Sequence, residues 1–321
     1  MSGARDQTGQ PFAVLIAGPT ASGKSALALR LAGLLDGEIV NADSMQVYRE
    51  LRILTARPSE AEEAARPHRL YGHVSGAEAY STGKWVADAV AAIDAVAEAG
   101  RVPIVVGGTG LYFKALTEGF VDVPPIPDDV RMATRAEVDR IGPPAAHRLL
   151  QDLDPAWAAQ VHENDPQRIA RGLEVVRATG RPLTDWHRDQ AVPPLALPAL
   201  KIVLEPDRAW LYERIDRRFA AMVEAGALDE VEALLALDLP AHLPAMKALG
   251  VPDLAAHVSG ELELEAAMAQ AATRSRQYAK RQSTWFRQQM IAWNRLHEQD
   301  LESQIGKIFS FIDDFGLTVP R

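Results

Sequence analysis

Short apolar runs recur along the chain, each followed by a turn and then by apolar residues at helical spacing. The run at 12–17 is followed by Ala26, Leu27, Leu29, Leu31, Leu34 and Leu35, the stripe of an amphipathic helix. Runs at 38–42 and 102–106 repeat the pattern, with a helix expected over 82–99 between them. A fourth run, 201–205, precedes a helix expected from about Asp207. Apolar strands alternating with helices predict an α/β fold with a parallel sheet flanked by helices on both faces. Ligands of such sheets bind beyond the carboxyl ends of the strands. Whatever follows these runs is therefore expected on one edge.

The pattern breaks between about 121 and 198. The break opens with prolines at 123–127 and closes with prolines at 192–198, and its interior reads as helices. One helix is well marked, with Asp165 as N-cap, Pro166 in the first turn, apolar Ile169, Leu173 and Val176, and Gly180 as the stop. Residues 11–122 and 199–321 are expected to form one core. Residues 123–198 are expected to form a helical domain inserted into it. The 321 residues suffice for both.

The turn after the first run reads Gly18-Pro19-Thr20-Ala21-Ser22-Gly23-Lys24-Ser25, the spacing G-x-x-x-x-G-K-S of a phosphate-binding loop. Its glycines let successive N–H groups face one hollow, and the following helix adds the positive end of its dipole. Lys24 can reach outer phosphates, and Ser25 carries the hydroxyl that commonly ligates Mg²⁺. The expected core is thus P-loop NTPase-like. The second run ends at Asp43, within Asn41-Ala42-Asp43-Ser44-Met45-Gln46. A carboxylate there can hold a metal, take a proton from a nucleophile, or cap a following helix. Thr109 follows two glycines after the third run. Its hydroxyl can meet a ligand oxygen or cap the next helix. Arg214, Arg217 and Arg218 lie on the helix after the fourth run, with Arg214 and Arg218 on one face. They are either a solvated face or contacts to a departing phosphate.

Composition narrows the class. The chain is 47% hydrophobic, carries a formal net charge of −9 and has no cysteine, which excludes disulfides and thiolate metal sites. Residues near Arg5 and Asp6 lack the apolar stretch of a signal peptide, and no run is long enough to span a membrane, so a cytoplasmic protein is expected. The acidic balance argues against nucleic acid as a partner, except over 266–297. That stretch has no Asp or Glu and carries Arg274, Arg276, Lys280, Arg281, Arg287 and Arg295. On a helix, Arg276, Lys280 and Arg287 line one side, while Tyr278, Arg281 and Trp285 align on another. Cations interleaved with aromatics suit a nucleic-acid backbone and unstacked bases; aromatics packed inward beneath exposed arginines are the alternative. Gln167, Arg168 and Arg171 open the marked insertion helix, and Arg131 follows the first proline group. The histidines show no metal spacing.

Together these segments resemble the tRNA dimethylallyltransferase, or tRNA isopentenyltransferase, family. The resemblance is carried by GPTASGKS at 18–25, NADSMQVY at 41–48, TARP at 55–58, VVGGTGLYFKAL at 105–116, NDPQRIARGLEV at 164–175, RIDRRF at 214–219 and RQYAKRQSTWF at 276–286. It implies transfer of a dimethylallyl group from dimethylallyl diphosphate to the exocyclic amine of the adenosine 3′ to the anticodon. It implies Asp43 as general base, with Thr109 and Arg218 at the diphosphate or reacting region. Gly18, Thr20, Ala21, Ser22, Gly23, Lys24 and Ser25 would hold diphosphate with Mg²⁺, Ser25 being the metal ligand. The implied contacts to the tRNA anticodon stem-loop are Asp43, Ser44, Met45, Gln46, Thr109, Arg131, Gln167, Arg168, Ile169, Ala170, Arg171, Arg274, Lys280 and Arg281. The chain is expected to act as a monomer. Val251 and Pro252 depart from the family pattern, which has an aromatic and a basic residue there; Leu54 stands where glycine is usual and Glu163 where proline is common. Two other readings stay open: a small-molecule kinase using the same loop for ATP, and a non-catalytic RNA-binding P-loop protein.

Overall fold

A computed structural model of the chain describes residues 11–119, 123–189 and 194–314. Residues 5, 6, 121, 192 and 193, which enter the expectations about the amino terminus and the proline-flanked break, lie outside them. The first part of the chain runs β1 (Ala13–Ala17), α1 (Lys24–Leu34), β2 (Gly37–Asn41), α2 (Glu60–Ala65), β3 (His68–Arg69), α3 (Thr82–Glu98), β4 (Val102–Gly107) and α4 (Gly110–Glu118). Five helices follow: α5 (Asp128–Ile141), α6 (Pro143–Leu153), α7 (Pro155–Ala158), α8 (Pro166–Thr179) and α9 (Leu183–Arg188). The chain then adds β5 (Ala199–Leu204), α10 (Arg208–Glu224), α11 (Ala227–Leu235), α12 (Val251–Val258), α13 (Leu264–Gln289), β6 (Asn294–Leu296) and α14 (Leu301–Asp314). Among the described residues no helix is long and apolar enough to cross a membrane.

Two compact units result, one of residues 1–117 and 194–321 and one of 118–193. The first is built on an all-parallel sheet of order β3-β2-β4-β1-β5-β6. The four apolar runs supply β1, β2, β4 and β5. The short edge strands β3 and β6 were not anticipated. A two- or three-residue edge strand needs no apolar run, and His68 and Arg69 instead bring a charge to the sheet. Arg69 Nε and Arg101 each lie 2.6 Å from the carboxylate of Glu38, which is buried on β2.

Alternation along the strands divides the core. Val14, Ile16, Ile104 and Val106 face α1 and α14, meeting Leu27, Leu31, Ile305 and Ile308. Ala13, Leu15, Ala17, Val40 and Val105 face the other side, packing with Trp85 and Ile93 of α3, Phe113 of α4 and Phe286 of α13. A further cluster joins Val47, Tyr48, Leu51 and Leu54 to α10, α11 and α12. Glu230 of α11 pins that segment, accepting from the backbone N–H groups of Ile53 at 2.7 Å and Leu54 at 3.1 Å.

The unit of residues 118–193 has its own apolar core, with Val138, Leu150, Trp157, Ile169 and Leu173 among its members. Its helix α8 begins and ends as the spacing predicts. Asp165 accepts from the Arg168 N–H, Pro166 is in the first turn, and Gly180 closes the helix with φ 69°.

The closest backbone approach is at the end of β4. A Cβ added to Gly107 would overlap the Ala42 carbonyl oxygen of the neighbouring turn. Gly107→Ala is therefore expected to lower unfolding stability by about 2 kcal/mol, the order of overpacking penalties. Urea unfolding checks this; an unchanged midpoint would contradict it.

Candidate active site

Because β4 lies between β1 and β2, the turns that follow these three strands are neighbours. The Gly18 N–H donates to the Gly107 carbonyl at 3.3 Å, and the Thr109 N–H donates to the Ala42 carbonyl at 3.2 Å. Thr109 Oγ1 accepts from the Ser44 N–H at 2.9 Å and donates to Ser44 Oγ at 3.2 Å. The hydroxyl thus ties the Gly-Gly-Thr turn to the turn carrying Asp43.

The phosphate loop is shaped by positive φ at Ala21 (64°) and Gly23 (93°). Helix α1 starts at Lys24 with no side chain capping it. Its first-turn N–H groups and dipole face the hollow. Lys24 is buried, with Nζ 3.4 Å from the Pro19 carbonyl. Burial lowers its pKa to about 8, against the opposing pull of Asp43. Arg218 donates to Thr20 Oγ1, and burial lowers its pKa to about 10. Arg214 Nε donates to the Ala21 carbonyl at 3.0 Å, with its guanidinium over Trp210. Arg214 and Arg218 therefore share the face that their spacing predicts, whereas Arg217 is exposed and lies 3.7 Å from Glu213. Among the described residues, Lys24, Arg214 and Arg218 have no carboxylate within 4.0 Å. Ser22 Oγ is buried without a hydrogen-bond partner. A buried lysine, two half-buried arginines, an orphan hydroxyl and an open helix N-terminus together form an anion site. Ser25 is exposed at the first turn of α1.

Asp43 caps no helix. Its Oδ1 accepts from the Met45 N–H at 3.0 Å, and its own N–H donates to Asn41 Oδ1 at 2.8 Å. Asn41 is fully buried and donates to the carbonyls of Asp43 and Leu70, so it fixes the turn. Asp43 Oδ2 accepts no hydrogen bond among the described residues and lies against Gly108. Tyr71, Tyr112 and Tyr278 have pKa values pushed above the usual tyrosine value, first by burial and next by the charge of Asp43. The carboxylate thus sits among neutral phenols, with Tyr112 stacked on Trp85 at 4.2 Å. Gln46 is buried, and its amide donates to the Thr55 and Ala56 carbonyls at 2.8 and 2.9 Å; Met45 packs beside it at the edge of the Val47 cluster.

The basic helix α13 differs from its expected pattern. The stretch 266–297 lacks acids, but neighbouring elements supply them. Arg276 pairs with Asp216, Arg274 lies 3.4 Å from buried Asp253, and Arg287 and Arg295 lie 2.8 and 2.9 Å from Glu205. Among the described residues, Lys280 and Arg281 keep no carboxylate partner. They line an open groove of about 430 Å³ with Gln277, Thr284, Trp285 and Gln288, and Arg281 lies over the Tyr278 ring.

In the helical unit, Gln167 and Arg168 are exposed at the start of α8, with Arg168 over Trp157. Arg171 is half-buried; its pKa is lowered by burial and by Arg131 and Arg135, against Glu174. Arg131 donates to Asp128 at 3.0 Å and to the Ile126 carbonyl. The side chains of Ile169 and Ala170 face that unit's core. Among the described residues no cluster of His, Asp and Glu has metal-site geometry.

The sequence assigns no role to Asn41, Tyr71, Tyr112 or Gln282, and it reads Tyr278 only as an aromatic of the basic helix. Gln282 is a buried glutamine between Ala279 and Phe286 on the apolar face of α13. A polar residue at a core position was its only signal.

The chain is similar to known proteins over most of its length. An IPP transferase family model matches residues 46–289, and an isopentenyl transferase model matches residues 12–75. A tRNA dimethylallyltransferase of Parvibaculum lavamentivorans is 57% identical over 306 residues, covering 95% of this chain and 97% of that protein. One of Rhodopseudomonas palustris is 57% identical over 295 residues, covering 91% and 92%. Among solved structures, a tRNA isopentenylpyrophosphate transferase of Bacillus halodurans is 33% identical with a TM-score of 0.69, covering 95% and 97%. A eukaryotic dimethylallyltransferase acting on tRNA is 27% identical with a TM-score of 0.81, covering 97% and 81%. With a family model over most of its length and relatives more than half identical over 91% and 95% of it, the chain belongs to the tRNA dimethylallyltransferase family.

Proposed function

We propose that this chain transfers a dimethylallyl group from dimethylallyl diphosphate to the exocyclic amine of the adenosine 3′ to the anticodon of tRNA, releasing diphosphate. The observation that carries this is Asp43 beside the phosphate loop: its Oδ2, which accepts no hydrogen bond among the described residues, and the Gly18 carbonyl of the loop both lie against Gly108, and its charge opposes the burial that lowers the pKa values of Lys24 and Arg218. In the reaction the allylic C1–O bond breaks, and diphosphate leaves with the electron pair. The amine nitrogen bonds to C1, and its proton passes to Asp43. Lys24 and Arg218 act where charge develops on the leaving group, with Arg214 holding the loop. A purine amine is a weak nucleophile because its lone pair is delocalised into the ring, so a positioned carboxylate is of use.

The loop residues fit Mg²⁺. Ser25 offers a hydroxyl at the open start of α1, and Mg²⁺ keeps waters and phosphate oxygens rather than needing an all-protein cage. Bound to Ser25 and diphosphate, it would further neutralise the leaving group. Lys280 and Arg281, which have no carboxylate partner among the described residues, are the proposed RNA contacts on that helix. The exposed start of α8, with Gln167 and Arg168, and Arg131 and Arg171 are those of the inserted domain, taken as residues 123–198. A cytoplasmic monomer is the proposed working form. A kinase is not favoured, since it has no use for the α13 groove and the relatives are named for tRNA.

Incubation with labelled dimethylallyl diphosphate and unmodified tRNA, followed by nucleoside analysis, tests the reading. Label is expected on the adenosine; label that stays unreacted while ATP is consumed would reverse it. Asp43→Ala is expected to cut transfer by about 10³-fold while tRNA affinity stays within about twofold. Substantial residual transfer would remove Asp43 from the role of base. Lys280→Ala should weaken tRNA binding and reduce the slope of log affinity against log salt by about one. An identical slope would assign Lys280 to the helix surface alone. Lys24 supplies a pH signature. Its amine, with a pKa of about 8 in the free protein, is mostly neutral at pH 9 and must recharge beside an anion. Affinity for the diphosphate should fall as pH rises above 8, and calorimetry in buffers of different ionisation enthalpy should show uptake of about one proton at pH 9. No uptake would contradict it.

A further inference from the structure

We propose that Gln282 is a positioning residue of the diphosphate site, its side-chain amide clamping the phosphate loop to the Gly108 turn. The inference rests on the function proposed above for the nature of the ligand. Gln282 Oε1 accepts from the Thr20 N–H at 2.9 Å, and Gln282 Nε2 donates to the Gly108 carbonyl at 2.8 Å. The two partners belong to turns after different strands, β1 and β4, and Gln282 comes from α13, far along the chain. Its side chain is buried, and both ends of the amide are used.

A primary amide of this reach suits both turns. One end must accept from an N–H, and the other must donate to a carbonyl. A carboxylate would set an acceptor against the Gly108 oxygen, and an apolar side chain would leave both backbone groups unpaired. The approach is close, since a Cβ at Gly108 would displace Gln282 Nε2 from its place. The helix that carries the amide is itself held in place. Ala279 and Phe286 are buried on the same face, and Trp285 fills the space over Gly110.

The clamp determines which groups of the loop are left for a ligand. Gln282 takes the Thr20 N–H, Arg218 the Thr20 hydroxyl and Arg214 the Ala21 carbonyl. The front of the loop is thereby held by protein. Ser22 Oγ, Lys24 and the first-turn N–H groups of α1 remain to face phosphate oxygens. Asp43 Oδ2 lies against the same Gly108 that receives the amide. Fixing Gly108 to Thr20 thus fixes the base relative to the leaving group. Gln282 touches neither reacting atom; it acts through the loop and the turn.

The test compares full-length wild type with Gln282→Met, measuring affinity for dimethylallyl diphosphate, affinity for tRNA, and the unfolding midpoint. Diphosphate affinity is expected to fall about tenfold, the scale of a lost buried hydrogen bond, with tRNA affinity within about twofold. An unchanged diphosphate affinity would overturn the proposal. So would equal losses for both ligands together with a lower unfolding midpoint, because that is the signature of a general structural role. Amide exchange of unliganded wild type is a second readout, independent of the variant's folding. Slow exchange at Thr20 supports the clamp, and exchange at Thr20 as fast as at unbonded loop amides refutes it. Wild type that binds no dimethylallyl diphosphate would refute the proposed function, while Thr20 exchange would still decide the clamp.

Discussion

The site depends on positive charge drawn away from water with, among the described residues, no carboxylate within 4.0 Å to pair with it. Lys24 and Arg218 are both driven toward their neutral forms by burial, and Asp43 is the charge that opposes this in each case. Burying cations without partners is unfavourable. The fold sustains it with backbone and hydroxyl acceptors: the Pro19 and Ala21 carbonyls and the Thr20 hydroxyl. Those contacts hold the cations in position without neutralising them. An anion entering the hollow would supply the missing charge, and the same field favours the charged form of the Asp43 carboxylate at its margin.

The parallel sheet makes that arrangement possible. Placing β4 between β1 and β2 brings three turns together, although their residues are far apart in the chain. Glycine then permits contact that side chains would block, at Gly107 against Ala42 and at Gly108 against Gln282. The polar atoms around the reacting region are consequently held by rigid elements. Thr109 ties one turn to Ser44, Asn41 ties another to Leu70, and Gln282 ties the third from α13.

Much of this was legible in the sequence, for reasons that can be stated. The phosphate loop, Asp43 and Thr109 each follow an apolar run, so knowing the strands located them on one edge. Helical spacing alone put Arg214 and Arg218 together. The edge strands β3 and β6 were not legible, because so short a strand leaves no periodicity. The basic stripe of α13 was overread for a different cause. Its own segment contains no acid, but Asp216, Asp253 and Glu205 reach it from elsewhere, and local charge counting cannot see them. Ile169 and Ala170, grouped by motif with exposed neighbours, turn inward because they fall on the apolar face of α8. Gln282 escaped notice because its meaning lies in two turns that only tertiary structure brings near.

The central claim, that buried cations wait for a diphosphate, is tested most directly by unfolding the protein in urea with and without saturating dimethylallyl diphosphate. A ligand that binds only the folded state stabilises it, by about 2.7 kcal/mol at a hundredfold excess over its dissociation constant. The account predicts a clear rise in midpoint for wild type and a much smaller one when Lys24 is replaced by alanine. Equal midpoints with and without the diphosphate would contradict it.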